Sequence, residues 1–254
     1  MKIYSWNVNG IRACREKGFL NWLEASQADV VFLQETKAHQ EQLCAELVQP
    51  PGYETHWFSA EKKGYSSVAA YCRTKPDEVQ KGLGHGKFDI EGRSITVFYG
   101  KLAMIGAYFP NSQDMGARLG YKMEFCQAML EYCRNLRNKG YSVVLAGDYN
   151  IAHKPIDLAR PKENETSAGY LPEERAWMTE FISAGYSDVF RKKTGEEPHH
   201  YTWWTFRAGA RKRNIGWRID YTNVSNDLLD KVSNVEIHPS ILGSDHCPVS
   251  LQLN

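Results

Sequence analysis

A chain of 254 residues with 42% hydrophobic content can bury a large core, so a soluble globular protein is the default. The formal net charge of +1 excludes a general basic field, and any contact with nucleic acid must come from a local patch. No apolar stretch approaches the ~20 residues of a membrane helix, and Met1-Lys2 leads straight into a strand-like run; no membrane association, a cytoplasmic location and no preceding regulatory domain are expected.

The first element is "KIYSW", where Ile3, Tyr4 and Trp6 suit a half-buried strand. It breaks at Asn7, Asn9 and the turn signal Asn9-Gly10. A helix is predicted in "GFLNWLEASQ", then a strand in "DVVFLQ" that stops at Glu35, then strands in "SVAAYCR", "SITVFYG" and "LAMIGAYF". The long run "GYKMEFCQAMLEYCRNLRNKG" has helical periodicity and a stop at Gly140, and Cys126 and Cys133 share its core face. "SVVLAG" is a strand that ends at Asp148 and Asn150; "LPEERAWMTEFISAG" is a helix with Pro172 near its start and Gly185 at its end. "WRIDYTNV", "KVSNVEIH" and "PVSLQL" complete the strands. With no linker, repeat or low-complexity tract, residues 1–254 read as one domain. Several apolar runs lack alternation, which predicts sheets covered on both faces and hence a layered α/β sandwich. The six cysteines form no C-x-x-C pair or zinc spacing, so reduced thiols are expected.

Three strands end alike, at Asn7 and Asn9, at Glu35, and at Asp148 and Asn150. In "ILGSDHCPVSLQL" the order inverts: Asp245 and His246 precede the strand, as they should if it runs antiparallel and starts at the same rim. Each piece alone has a structural explanation as a turn or a solvated strand end; together they exceed what turn chemistry explains. Oxygen donors from Glu35, Asp148, Asp245 and the amides suit a hard cation such as Mg²⁺, whereas zinc would call for more His or Cys. Asp220 in "GWRIDY" could pair with His246, fixing its tautomer and favouring its charged form. There is no G-x-S-x-G elbow, Walker A loop, H-E-x-x-H or dinucleotide fingerprint.

The local patch lies in "PHHYTWWTFRAGARKRNIGWRI", which carries Arg207, Arg211, Lys212, Arg213 and Arg218 and no acidic residue, interleaved with Trp203, Trp204, Phe206 and Trp217. Guanidinium groups neutralise phosphates, and aromatics stack on bases or line a sugar pocket. The competing explanation is core tryptophans beneath a solvated basic loop.

The ordered set "SWNVNGIRA", "LQETK", "KKGYSSVAAY", "YFPNS", "GDYNIAHKPIDLARPKEN", "YTWW", "ARKRNIGWRIDY" and "LGSDHCPV" resembles the exonuclease III / apurinic-apyrimidinic endonuclease family in its bacterial type, within the endonuclease/exonuclease/phosphatase superfamily. That resemblance spans the chain from Lys2 onward and implies a DNase I-like four-layer α/β sandwich of two facing mixed sheets flanked by helices. It implies a DNA repair nuclease that cleaves 5′ to abasic sites, with 3′-phosphodiesterase, 3′-phosphatase and 3′→5′ exonuclease activities. Mg²⁺, with Mn²⁺ able to substitute, is the implied cofactor, and duplex DNA with abasic sites or blocked 3′ ends the implied partner of a monomer. Carried over by residue, Asn7, Asn9, Glu35, Asp148, Asn150 and Asp245 bind or support the metal. Asp148 with Asn150 activates water, Tyr108 and Asn111 meet the phosphate or leaving group, and His246, held by Asp220, bonds the scissile phosphate. Trp203, Trp217 and Ile219 form the pocket for a flipped-out sugar, and Asn164, Arg207, Arg211 and Lys212 contact DNA. The chain departs from some members at Asn9, where they carry Asp, at Trp203, where they carry Phe, and at Ser167, where Asn is common. The alternatives are a phosphohydrolase of phosphoinositide or lipid head groups and a non-catalytic DNA-binding module.

Overall fold

The computed structural model describes residues 1–254. Its first half runs β1 (Lys2–Asn7), α1 (Ile11–Glu16), α2 (Phe19–Ser26), β2 (Val30–Gln34), α3 (Ala45–Val48), β3 (Glu54–Phe58), β4 (Val68–Cys72), β5 (Glu78–Lys81), α4 (Gly86–Asp89), β6 (Ser94–Tyr99) and β7 (Leu102–Tyr108). There follow α5 (Leu119–Asn138), β8 (Ser142–Asp148), α6 (Pro172–Ser183), β9 (Tyr186–Asp188), α7 (Val189–Thr194), β10 (Asp220–Ser225), β11 (Val232–Ile237) and β12 (Val249–Leu253). The strands form two six-stranded sheets, ordered β11-β12-β1-β2-β4-β3 and β5-β6-β7-β8-β10-β9. Each contains one parallel pair, β1 with β2 and β7 with β8, and is otherwise antiparallel, so both are mixed.

Alternation along the strands divides the apolar residues among three cores. Ile3, Val30, Phe32 and Ala70 of the first sheet meet Ile95, Val97, Met104, Val144 and Ala146 of the second between the sheets. Tyr4, Trp6, Val31 and Leu33 point the other way, onto Phe19 and Leu23 of α2. Ile105, Ala107, Val143 and Leu145 pack on Phe125, Met129, Cys133, Trp177 and Phe181 of α5 and α6. Both faces of each sheet are therefore covered, which is why their central strands read as unbroken apolar runs. The result is the expected four-layer α/β sandwich. Gly106 lets the sheets close up, since a Cβ there would collide with the Phe32 ring.

Three strands escaped the sequence: β3, β5 and β9, each at the edge of its sheet. "WRIDYTNV" enters its strand only at Asp220; Trp217 instead makes isolated bridges to Leu158 and Trp203.

A second departure concerns Arg218, expected on a phosphate-facing surface. It is buried, with Nε 2.9 Å from Asp157 Oδ1 and Nη2 2.7 Å from Asp188 Oδ2, while Arg191 reaches the same Asp157 oxygen at 2.7 Å. Burial alone would raise the Asp157 carboxyl, but the Arg218 and Arg191 guanidiniums outweigh it and hold it below the ordinary carboxylate range. Its contribution is thus present above the unfolded carboxylate value near 3.9 and disappears as pH falls through the lower folded value. Asp157→Asn should cost about 3 kcal/mol at pH 7, because it leaves buried cations short of a partner. In urea titrations that deficit should shrink as pH drops below about 4; a pH-independent deficit would contradict the ion-pair account.

Candidate active site

The parallel pairs decide where the site lies. β1 and β2 run together to Asn7 and Gln34, and β7 and β8 to Tyr108 and Asp148, all four ending at one rim. The antiparallel partners begin there: Asp220 of β10 stands opposite Asp148, and β12 opens at Val249 opposite Ser5, which brings Asp245 and His246 to the same edge. The Asp245–His246 loop is latched to β1, since Trp6 Nε1 donates to the His246 carbonyl at 3.2 Å and Ser244 Oγ to the Asn7 carbonyl at 2.7 Å.

At the centre, the fully buried Asn7 donates through Nδ2 to Glu35 Oε1 and to Asp148 Oδ2, both at 2.8 Å. Its Oδ1 accepts the Asn9 N–H at 3.0 Å, which fixes which end of the amide faces the carboxylates. Asp148 also accepts the Asn150 N–H at 2.8 Å, and Asn150 Oδ1 accepts from Asn111 Nδ2 at 3.1 Å. His246 Nδ1 lies 2.8 Å from Asp220 Oδ2, and its Nε2 is 3.9 Å from Asp148 Oδ2.

Burial is the main force that lifts Asp148 to about 7; His246 opposes it, while Asp220 and Glu35 add to it. Burial alone would lower His246, yet Asp220 and Asp148 raise it to about 10, so it is an imidazolium at neutral pH. Glu35 is also opposed by burial but held below its ordinary range by Lys37, whose Nζ is 2.8 Å from Oε2, and by Asn7. Burial, then the charges of Glu35 and Asp148, drive the Tyr108 hydroxyl well above its usual value, so it remains a neutral donor.

The ligand atoms of Glu35, Asp148 and His246 lie within 4.8 Å of one another. A charged imidazole already committed to Asp220 is a poor ligand, and what remains is an oxygen set from Glu35 and Asp148. Two carboxylates with room for water and phosphate fit a hard divalent cation. Four residues expected to bind or support the metal make the following contacts. Asn7 presents its NH₂ to the carboxylates, and Asn150 its NH₂ to Asp148 and to the Phe109 carbonyl. Asn9 Nδ2 bonds Asp245 Oδ1 at 2.9 Å while its Oδ1 faces Lys37; Trp203 Nε1 holds Asp245 Oδ2 at 3.1 Å. Lys37 was missed by sequence reasoning, although "LQETK" contains it two positions after Glu35.

Beside this cluster opens a cavity of about 580 Å³, lined among others by Tyr108, Asn111, Ser167, Trp203, Trp217 and Ile219. Trp203 and Trp217 stand edge to face, 87° apart, making two walls at right angles. Asn164 is not among the lining residues; it bonds the Arg160 carbonyl and Ser167, and Ser167 reaches the cavity in its place. In the basic segment, Arg207, Lys212 and Arg213 are exposed. Arg211 is not a free cation: its guanidinium donates to the Ser244, Pro239 and Ile241 carbonyls and stacks on the buried Trp204.

Facing mixed sheets, a rim of acids and amides, and a buried Asp–His pair define a phosphoester-hydrolysing enzyme. The chain belongs to the Endonuclease/Exonuclease/phosphatase family, which matches residues 4–246. It is 43% identical over 255 residues to an exodeoxyribonuclease of Bacillus subtilis, covering 100% of both chains. It is 40% identical over 255 residues to the DNA repair nuclease APEX1 of Danio rerio, covering 100% of this chain and 82% of that one. Among solved structures, the AP endonuclease LMAP from Leishmania major superposes with a TM-score of 0.91 at 28% identity, over 99% of this chain and 87% of that one.

The Asp–His geometry makes a spectroscopic prediction. In metal-free protein the His246 ring nitrogens should show an imidazolium from neutral pH up to about 10. Asp220→Asn should return the transition toward the ordinary value of about 6.5. An unchanged titration in that variant would break the assignment of Asp220 as the stabilising partner.

Proposed function

We propose that the protein is a magnesium-dependent DNA repair nuclease that hydrolyses the phosphodiester 5′ to an abasic site in duplex DNA, with activity at blocked or recessed 3′ ends. The observation that carries this is one rim where the Asn7-bridged Glu35–Asp148 pair and the Asp220–His246 pair open onto the Trp203–Trp217–Ile219 cavity. That relatives of the chain are an exodeoxyribonuclease, a DNA repair nuclease and an AP endonuclease supports the same substrate. Residues 1–254 would act as one catalytic domain, as a monomer, in the cytoplasm.

Glu35 and Asp148 would hold the Mg²⁺, or Mn²⁺ in its place, with Asn7, Asn9, Asn150 and Asp245 arranging the surroundings; when bound, the ion supplies Lewis-acid stabilisation of phosphoryl charge. Asp148, whose carboxylate direction Asn150 fixes, is placed to take a proton from the attacking water. The imidazolium of His246 presents Nε2–H to the phosphate as negative charge develops, and neutral Tyr108 with Asn111 donates to its oxygens. Trp203, Trp217 and Ile219 would receive the sugar of a nucleotide turned out of the helix. A site without a base unstacks at least cost, and a close apolar wall excludes an intact base. The basic-aromatic segment beside the rim favours DNA over a lipid or inositol head group.

Asp148→Asn should lower kcat on an abasic duplex by about 10²- to 10⁴-fold while leaving Kd for that duplex near wild type. A panel of abasic analogue, 3′-phosphate, recessed end and phosphoinositide, each with Mg²⁺ or EDTA, tests the substrate directly. Preferred turnover of the phosphoinositide would reverse the proposal, and metal-independent turnover would remove the cofactor.

Affinity and selectivity should separate by residue. Arg207→Ala and Lys212→Ala should each make the slope of log affinity against log salt shallower by about one. Arg211→Ala should act on stability through its three carbonyls. Trp217→Ala should leave the slope unchanged and reduce discrimination against an intact nucleotide. Salt titrations on abasic and intact duplexes read both quantities, and exchanged behaviour between Trp217 and Arg207 would overturn the assignment.

A further inference from the structure

Lys122, in the first turns of α5, is completely buried, and its ammonium has two close partners: Glu174 Oε1 at 2.6 Å and the Asn150 carbonyl oxygen at 2.6 Å. A buried ammonium requires a counter-charge, and Glu174 in α6, itself wholly buried, provides it. That pairing would be satisfied anywhere along the α5–α6 contact. It does not explain why the cation also donates out of the helix layer to a carbonyl on the rim.

The carbonyl belongs to a residue in an unusual state. Asn150 is left-handed, with φ 50, two positions after Asp148. Its N–H caps Asp148 Oδ1, its Nδ2 donates to the Phe109 carbonyl, and its Oδ1 accepts from Asn111. Against its carbonyl lies Gly169, where a Cβ would come within 3.1 Å of the oxygen. The oxygen is thus held between a loop backbone that accepts no side chain and an ammonium fixed on a helix. Holding that oxygen fixes ψ of Asn150, and with it the direction in which the amide projects toward Asp148 and Asn111.

We infer that Lys122 is a positioning residue for the hydrolytic step, setting the orientation of Asn150 through its carbonyl while Glu174 supplies the counter-charge. The inference rests on the proposed roles of Asp148 and Asn150 in activating water. Lys122 touches no substrate, so its loss belongs in kcat and not in KM.

The test compares Glu174→Gln, Lys122→Arg and the double variant Lys122→Met/Glu174→Gln, each with and without Asn150→Ala, on an abasic duplex with Mg²⁺. Urea titrations report folding of each. Glu174→Gln, which leaves the buried ammonium without its counter-charge, should lose kcat at unchanged KM. The double variant should lose about 10²-fold in kcat at unchanged KM, the scale of a small misplacement of a reacting group. Lys122→Arg retains the ion pair but cannot place one donor on the same carbonyl, and should show a smaller loss of the same kind. In the Asn150→Ala background neither substitution should cost anything further. Wild-type kcat in Lys122→Arg, or an equal fold-loss with and without Asn150, overturns the inference even if the double variant fails to fold. Wild-type protein inert on the abasic duplex would count against the proposed function alone. The Asn150 side-chain amide resonances then decide: they should shift in Lys122→Arg, and no shift there refutes the inference.

Discussion

The structure depends on one amide. Asn7 Nδ2 joins a carboxylate of its own sheet, Glu35, to a carboxylate of the opposite sheet, Asp148, and so ties the two halves of the sandwich at the rim. Two buried anions this close repel, and a donor shared between them is the least bulky way of keeping both in place. The amide must present nitrogen and not oxygen, and that is set by the Asn9 N–H on Oδ1 and by the turn that Asn9-Gly10 makes. The abrupt change from Trp6 to Asn7 and Asn9 is therefore one device, in which the turn orients the amide that links the sheets.

What the sequence disclosed and what it withheld follow from the same geometry. Central strands such as Val30–Gln34 and Ser142–Asp148 are covered on both faces, so their interiors, Val30 to Leu33 and Val143 to Gly147, are unbroken apolar runs and easily seen. Edge strands such as Glu54–Phe58 and Glu78–Lys81 are short, carry charge and are partly exposed, and nothing in their composition sets them apart from loops. The rim acids were legible because each interrupts an apolar run. The fates of the basic residues were not: Arg207 and Lys212 remain in solvent, while Arg211 and Arg218, a few positions away, are consumed by carbonyls and by Asp157 and Asp188. A cation's role is decided by acceptors distant in sequence, and a single segment does not contain them. The orientation of the rim amides was hidden for a related reason, since residue type does not tell which end of an Asn faces the site.

The rim also carries strained backbone. Asn9, Glu35, Lys37 and Asn150 all have positive φ, at about 1–2 kcal/mol each for a residue with a Cβ. Such conformations persist only where the surroundings over-determine them. Here the restraints are the site's own contacts: Asn9 by Asp245, Glu35 by Asn7 and Lys37, Asn150 by Asp148, Asn111 and Lys122. The three covered cores supply the stability that makes this tolerable, and the strain places each side chain past the end of its strand, facing inward across the rim.

Charge completes the logic. Glu35, Asp148, Asp220 and Asp245 bring four carboxyl groups to the rim, against which stand the ammonium of Lys37 and the imidazolium of His246, leaving two negative charges uncompensated when all four are ionised. The excess is felt most at Asp148, which burial and its acidic neighbours raise to about 7. A protein that sought only stability would neutralise that carboxylate with one more Lys or Arg. A site that leaves two charges open on oxygen donors, beside one fixed imidazolium, attracts a dication and then a phosphate to it. The same imbalance that makes the empty rim a destabilising feature of the fold is what gives it affinity for the ion and anion it is shaped to receive.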